Sequence, residues 1–169
     1  MTELKVYKGL SYLLLLPNAF VAIITLFGIL ASILNPMMFF GMILFVGVVL
    51  YAIFSFIFLQ KGIINNKKCS LRLKKNVRTT SLLAGIFTVM CLMNCFTLVF
   101  HSTSIDTMVN VFFAESKTNL PPNFTRELLT KAIWASVYFL GIYAALLLLH
   151  ILMTYKFIKM YIDVFETAK

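Results

Sequence analysis

The chain has 169 residues, of which 61% are hydrophobic and only 12% are charged, and its formal net charge is +9. A soluble domain carries about 25% charged residues, and a folded chain of this size leaves about a third of its surface in contact with solvent. So apolar a composition excludes a soluble globular protein, and it also excludes an intrinsically disordered one. We therefore predict an integral membrane protein.

Four stretches that contain no Asp, Glu, Lys or Arg are long enough to cross a bilayer. A hydrocarbon core about 30 Å thick needs about 20 apolar residues in a helix, and lipid offers no partners to open backbone groups, so each span must be α-helical. We predict an all-α membrane protein with a single domain over residues 1–169 and an antiparallel bundle of four transmembrane helices. The predicted spans are Leu10–Leu34, Met37–Leu59, Thr79–Phe100 and Ala132–Tyr155.

The basic residues are distributed unequally between the two sides of these spans. Twelve of the fifteen lie before the first span, between the second and third, or after the fourth, and only three lie in the loop 101–131. The positive-inside rule therefore predicts that both termini are cytoplasmic. The first apolar stretch is longer than the core of a signal peptide, which predicts a retained span. Twelve lysines against three arginines, with abundant Asn, Ile and Phe, indicate an AT-rich genome, and a bacterial cytoplasmic (inner) membrane is the location we expect.

The segments between the spans predict where helices begin. Asn35 suits an N-cap and Pro36 the first helical position, so this short link joins two helices in a hairpin. Ser70 and Thr125 are the predicted caps of the third and fourth helices. The basic link, Gln60–Arg78, contains no acidic residue and is predicted to bind anionic lipid headgroups on the cytoplasmic side. The predicted contacts are Lys67, Lys68, Arg72, Lys74, Lys75 and Arg78.

The outer loop 101–131 contains one apolar stripe with the spacing of a helix. Its members fall at positions i, i+3, i+4, i+7 and i+8, which predicts a short amphipathic helix at the outer membrane surface. One interpretation is that this helix seals the outer end of the bundle. The alternative is a lid over a site, formed by Phe112 and Phe113. The stripe consists of Ile105, Met108, Val109, Phe112 and Phe113.

No charged residue lies within a predicted span, although ion paths and proton relays in membranes use such residues. A proton-coupled transporter is therefore disfavoured. His101 and His150 are separated in depth by about 27 Å at 1.5 Å per helical residue, so they cannot ligate one haem iron. The sequence predicts no cofactor and no metal site.

The polar side chains within the spans have two interpretations. Asn94, His150 and Thr154 can bond neighbouring helices together, or they can contact a ligand inside the bundle. Cys91 and Cys95 share one face of the third span and are predicted to be reduced and shielded from water, as small apolar fillers. These five residues are the candidate intramembrane contacts.

Cys69, Pro17 and several small residues carry further predictions about reactivity and helix packing. Cys69 lies among basic residues that would lower the pKa of its thiol; it is predicted either to be reactive or lipidated, or to be solvated and inert. Pro17 removes a backbone hydrogen bond and is predicted to kink the first span. Small residues spaced by four, such as Gly28 with Ser32 and Gly141 with Ala145, predict close helix contacts.

The sequence contains no zinc-protease, nucleophile-elbow or nucleotide-binding motif. The first functional interpretation is a non-catalytic accessory or scaffold subunit whose partners are membrane lipids and other membrane protein subunits, and not nucleic acid. The alternative is a binder or carrier of a lipid or other small apolar molecule in an intramembrane cavity between kinked span one and Asn94 or His150. An enzyme with an unfamiliar site is the third.

Overall fold

The computed structural model describes residues 2–32, 36–101, 103–115 and 124–165. These residues are helical almost throughout, and no strand occurs among them. Two short segments depart from α-helical geometry: a π-helix over Phe58–Ile64 and a 3-10 turn over Ile162–Val164. The α-helices are α1, Thr2–Leu13; α2, Leu15–Ser32; α3, Pro36–Ile57; α4, Leu71–Phe100; α5, Thr103–Glu115; and α6, Arg126–Met160.

Within the described residues, four helical stretches are long and apolar enough to cross a membrane, which agrees with the number predicted. The third and fourth begin several residues earlier than the predicted spans, because the helical backbone continues through charged residues at the ends. An apolar run in the sequence marks only the part of a helix that suits the hydrocarbon core, so the charged ends of the helices fell outside the predicted spans. The four stretches are Thr2–Ser32, Gly41–Ile64, Leu71–Phe100 and Arg126–Met160.

The helix starts follow local capping chemistry. The Ser70 hydroxyl accepts a hydrogen bond from the backbone N–H of Leu73 at 3.3 Å, and Thr125 accepts one from Leu128 at 3.2 Å. Both predicted caps are thus confirmed. Helix α3 begins at Pro36 as predicted, where the missing N–H costs nothing; the predicted cap Asn35 lies outside the described residues.

The first span is interrupted at Leu14, between α1 and α2. Pro17 has no backbone N–H, so the Leu13 carbonyl loses its helical donor. The Leu14 carbonyl accepts from both the backbone N–H of Asn18, at 3.0 Å, and the side-chain amide of the same residue, at 2.7 Å. The kink predicted at Pro17 is therefore accompanied by an interruption of the helix at Leu14.

The π-helix and its packing were not predicted. The Cys69 N–H donates to the Val164 carbonyl at 2.8 Å, and the rings of Phe58 and Phe165 stack with centroids 5.5 Å apart. A Cβ atom on Gly62 would lie 3.3 Å from the Cys69 sulfur, so the absence of a side chain permits this close approach. The segment after α6 thus covers the π-helix and Cys69.

The chain divides into two compact units, Met1–Thr88 with Leu146–Lys169, and Val89–Ala145. We call them the first and second units. In the first, Gly28 packs against Met42, and a Cβ atom on Gly47 would lie 2.5 Å from the Leu83 Cβ, so both glycines permit close helix contact. In the second, the predicted small residue Gly141 lies against Cys95.

Candidate functional site

Five buried polar side chains meet in the first unit, and we call them the polar cluster. Their exposed fractions range from 0 to 8%. They belong to α1, α3 and α6, so the cluster connects three helices through side-chain contacts. The sequence predicted two of its members as intramembrane contacts, His150 and Thr154. The cluster consists of Tyr7, Ser11, Tyr51, His150 and Thr154.

His150 lies at the centre of the polar cluster. Its Nε2 atom is 2.9 Å from the Ser11 hydroxyl, and its Nδ1 atom is 2.8 Å from the Tyr51 hydroxyl. The Tyr7 ring stacks on the imidazole with a centroid separation of 5.1 Å. Both ring nitrogens are therefore engaged, and one imidazole face is covered by an aromatic ring.

Thr154 connects the two tyrosines. Its hydroxyl oxygen is 2.9 Å from the Tyr51 hydroxyl and 3.2 Å from the Tyr7 hydroxyl, and it donates to the His150 carbonyl at 2.8 Å. Ser11 donates to the Tyr7 carbonyl at 2.8 Å. Every buried side-chain nitrogen and oxygen among the described residues has a partner, as a polar group in an apolar interior requires.

A cavity of about 290 Å³ adjoins the polar cluster. All of its lining residues belong to the first unit, and none of those described is charged. Its polar lining consists of Ser11, Asn18, Tyr51, Ser55 and His150. Leu14 and apolar side chains of α2, α3 and α6 form the remainder, among them Ala22, Val49, Ala52, Phe56 and Leu147. The volume is close to the lower end of the range for small-molecule sites, about 300 Å³.

Asn94 does not take part in the polar cluster, although the sequence suggested a shared role with His150. It lies in the second unit and is exposed on α4. Met90, one turn earlier on the same helix, and Met93, directly before it, are at least half exposed as well. The amide therefore projects from an apolar surface.

The cysteines within the third span lie in the second unit, and both are half-buried. The Cys95 thiol contacts the Val137 carbonyl at 3.5 Å, so its neighbour is a backbone group of α6. This arrangement is typical of a cysteine that fills a helix contact. Their shielding from water stays a prediction.

Cys69 is buried and not solvated, contrary to one of the two expectations. Burial raises the pKa of its thiol, and the nearby Lys61 offsets this only in part. The expectation that basic neighbours would lower this pKa is wrong, because the pairing with Val164 removes the thiol from solvent. The residues next to Cys69 in the sequence do not indicate that the segment after α6 lies over it.

The basic link is mostly exposed. Lys67, Lys68, Arg72, Lys75 and Arg78 face outward, and no ion pair involving the link occurs within the described ranges. Lys74 is half-buried, and its ammonium lies over the Phe165 ring at 5.4 Å from the centroid. Five of the six predicted lipid contacts thus present unpaired charge at the surface.

The helix predicted in the outer loop is present as α5. Ile105 and Val109 are buried, whereas Met108 and Phe112 are exposed. Phe113 is half-buried, with its ring centroid 6.1 Å from that of Phe124. The stripe is therefore divided: Ile105 and Val109 are buried, whereas the candidate lid residue Phe112 is exposed, with its ring centroid 6.0 Å from that of Phe124.

Sequence reasoning missed Tyr7, Ser11 and Tyr51. Tyr51 carried a signal, since a phenolic hydroxyl inside an apolar span needs a partner. Tyr7 and Ser11 precede or begin the predicted apolar stretch and gave no comparable sign.

In comparisons with known proteins, no family model matches this chain, and no curated protein or solved structure matches it significantly.

Proposed function

We propose that this protein is an integral membrane protein that binds a lipid or another small apolar molecule in the cavity beside His150. The observation that carries the proposal is the uncharged cavity of about 290 Å³, walled on one side by the polar cluster. Sites for small molecules are mostly apolar, with a few placed polar groups that fix orientation. The cavity adjoins the kinked first span, as the binding hypothesis requires.

The proposed arrangement is an antiparallel bundle with both termini in the cytoplasm. The basic asymmetry supports it, and so does an ion pair between Glu3 and Lys156 at 2.7 Å, because it joins the beginning of the first span to the end of the fourth. A reporter fused after Lys169 should be active only in the cytoplasm. Activity on the opposite side would overturn the orientation.

The cavity extends along the first span from Ser11 to Ala22, about 17 Å at 1.5 Å per residue. In the proposed orientation its polar end lies in the cytoplasmic leaflet, and its apolar end lies near the bilayer midplane. An amphiphile of that leaflet would enter with its tail toward the midplane. An amphiphile has the same orientation in the surrounding bilayer, where its polar group lies at the membrane surface and its tail points toward the midplane.

Native mass spectrometry of protein released gently from lipid nanodiscs tests the proposal. The protein should retain a bound molecule, and Ala52→Phe should reduce the retained fraction because the new ring fills the cavity. Ala135→Phe is the matched control, since Ala135 is exposed and lies in the other unit. Equal retention in both variants would contradict the proposed site.

A second candidate function is that of an accessory subunit in a membrane assembly, and the exposure of Asn94 favours it. An amide in hydrocarbon gains about 1 kcal/mol from an interhelical hydrogen bond. Because Asn94 points outward from α4, that bond would come from a helix of another subunit. Asn94→Leu should release the partner's mass in native mass spectrometry, while Met93→Leu, on the same exposed surface, should retain it. Equal release by both would contradict this role for Asn94.

A further inference from the structure

The protons of the cavity's serines are already committed to backbone carbonyls. Ser11 donates to the Tyr7 carbonyl at 2.8 Å, and Ser55 donates to the Ala52 carbonyl at 3.1 Å. A carbonyl oxygen can only accept, so the direction of both bonds is fixed. Each serine therefore has no proton left for a molecule in the cavity.

The fixed proton of Ser11 determines the state of His150. With that proton on the Tyr7 carbonyl, the contact of 2.9 Å between Ser11 and His150 requires Nε2 to carry a hydrogen. No described lining residue is a carboxylate that could stabilise a charged imidazole, so the ring is neutral and its Nδ1 atom is an acceptor. Tyr51 therefore donates to Nδ1 at 2.8 Å, and its proton is committed as well.

The hydroxyl groups that line the cavity thus offer lone pairs and no protons. The remaining polar side chain of the lining besides His150 is Asn18, whose amide donates one proton to the Leu14 carbonyl. Ser55 is the most available of the hydroxyl groups, because its oxygen receives no hydrogen bond from any described residue. A ligand group that is itself only an acceptor would place its lone pairs against these oxygens. A ligand hydroxyl would donate to them without disturbing any existing bond.

The absence of charge in the cavity and its volume restrict the class of ligand further. A carboxylate or ammonium in the cavity would be desolvated without a countercharge, which is costly. The volume of about 290 Å³ equals about ten water molecules at about 30 Å³ each, so one apolar chain or ring system fits inside the cavity.

We propose that the cavity binds an uncharged amphiphile with a single apolar chain or ring system and a hydroxyl group that donates to Ser55 or its neighbours. This inference rests on the proposed function and specifies the ligand class of the same site. Long-chain alcohols, isoprenoid alcohols and sterol-like alcohols share this chemistry. Quinones, esters and fatty-acid anions do not.

The test measures binding of three probes to the full chain in phosphatidylcholine nanodiscs, compared at equal mole fractions in the bilayer. The probes are dodecanol, dodecyl methyl ether and dodecanoate at pH 8, and the readout is the ligand-dependent rise in unfolding temperature. Dodecanol should bind about tenfold more tightly than the ether or the anion, since only the alcohol is uncharged and has a proton to donate to a serine oxygen. Ser55→Ala should reduce the preference for dodecanol over the ether to less than threefold and leave binding of the ether unchanged.

The outcomes separate this inference from the proposed function. Equal affinity for dodecanol and its ether, or tighter binding of dodecanoate, would overturn the hydroxyl inference while the cavity remains a binding site. Stabilisation by no probe, with no difference between Ala52→Phe and Ala135→Phe, would overturn the binding function itself. Ser55 bonds only within its own helix, so its replacement by Ala leaves the contacts between helices intact.

Discussion

Removal of one hydroxyl, by Tyr51→Phe, tests whether the polar cluster stabilises the fold. Tyr51 is fully buried, and its hydroxyl contacts His150 at 2.8 Å and Thr154 at 2.9 Å. Phenylalanine keeps the ring and its packing against the imidazole. The substitution therefore removes two polar contacts between α3 and α6 and leaves Nδ1 of His150 without its donor.

The expected cost follows from the number of bonds. Because the Tyr51 proton is committed to Nδ1 of His150, the substitution removes one donated hydrogen bond, and such bonds between membrane helices contribute on average about 0.6 kcal/mol and at most about 1.7 kcal/mol each. Tyr138→Phe is the matched control: Tyr138 is 59% exposed, and its hydroxyl makes no hydrogen bond to any described residue. We expect the control to change stability by less than about 0.5 kcal/mol.

Equilibrium unfolding in mixed micelles, with increasing denaturing detergent, measures both free energies of unfolding. A double-mutant cycle with Thr154→Val separates the coupling between Tyr51 and Thr154 from the two single costs. A cost of Tyr51→Phe no greater than that of Tyr138→Phe would refute a stabilising role of the polar cluster. A substantial cost for Tyr51→Phe together with zero coupling would assign the stabilisation to the imidazole contact alone.

Three further predictions concern regions outside the polar cluster. Burial raises the pKa of the Cys69 thiol, so maleimide should label it more slowly in the folded than in the denatured protein, and faster as pH rises toward that pKa; equal rates would disprove its cover. Replacing Phe112 and Phe113 together by Ser should make the loop protease-sensitive, whereas Asn110→Lys, on the exposed side of α5, should not; equal cleavage would show that the stripe is misassigned. Neutralising the lysines of the basic link should reduce co-purified anionic lipid, because each exposed base contributes about 1 kcal/mol near a charged leaflet; unchanged lipid in correctly inserted protein would count against this.

The fold was predictable where local chemistry determines it. Ser70 and Thr125 cap α4 and α6 because a hydroxyl before an apolar helix satisfies N–H groups that have no helical partner. Pro17 interrupts the first span because it lacks an N–H, whatever surrounds it. In each case the cause lies within four residues of its effect, so the sequence alone contains it.

The polar cluster was only half predictable because its causes are distant in sequence. Ser11 and His150 are separated by 139 positions, and no pattern in either segment identifies the other. The same holds for the pairing of Cys69 with Val164, which reversed the expectation about the thiol. Without evidence for spatial proximity, a polar residue in an apolar span indicates only that some partner exists.

The two proposed functions depend on different parts of the chain. The cavity is lined wholly by the first unit, whereas Asn94 lies in the second, so a variant at either place tests one function without removing residues of the other. In the most apolar 18-residue window of each candidate span only 17–33% of the residues are buried, and the remaining apolar surface needs a covering of lipid or protein. Lipid suffices for Leu, Ile and Phe side chains, but it gives no hydrogen bond to an amide. Asn94 is therefore the position at which a protein partner and a lipid covering predict different results, just as Ser55 is the position at which a specific alcohol and a nonspecific acyl chain differ.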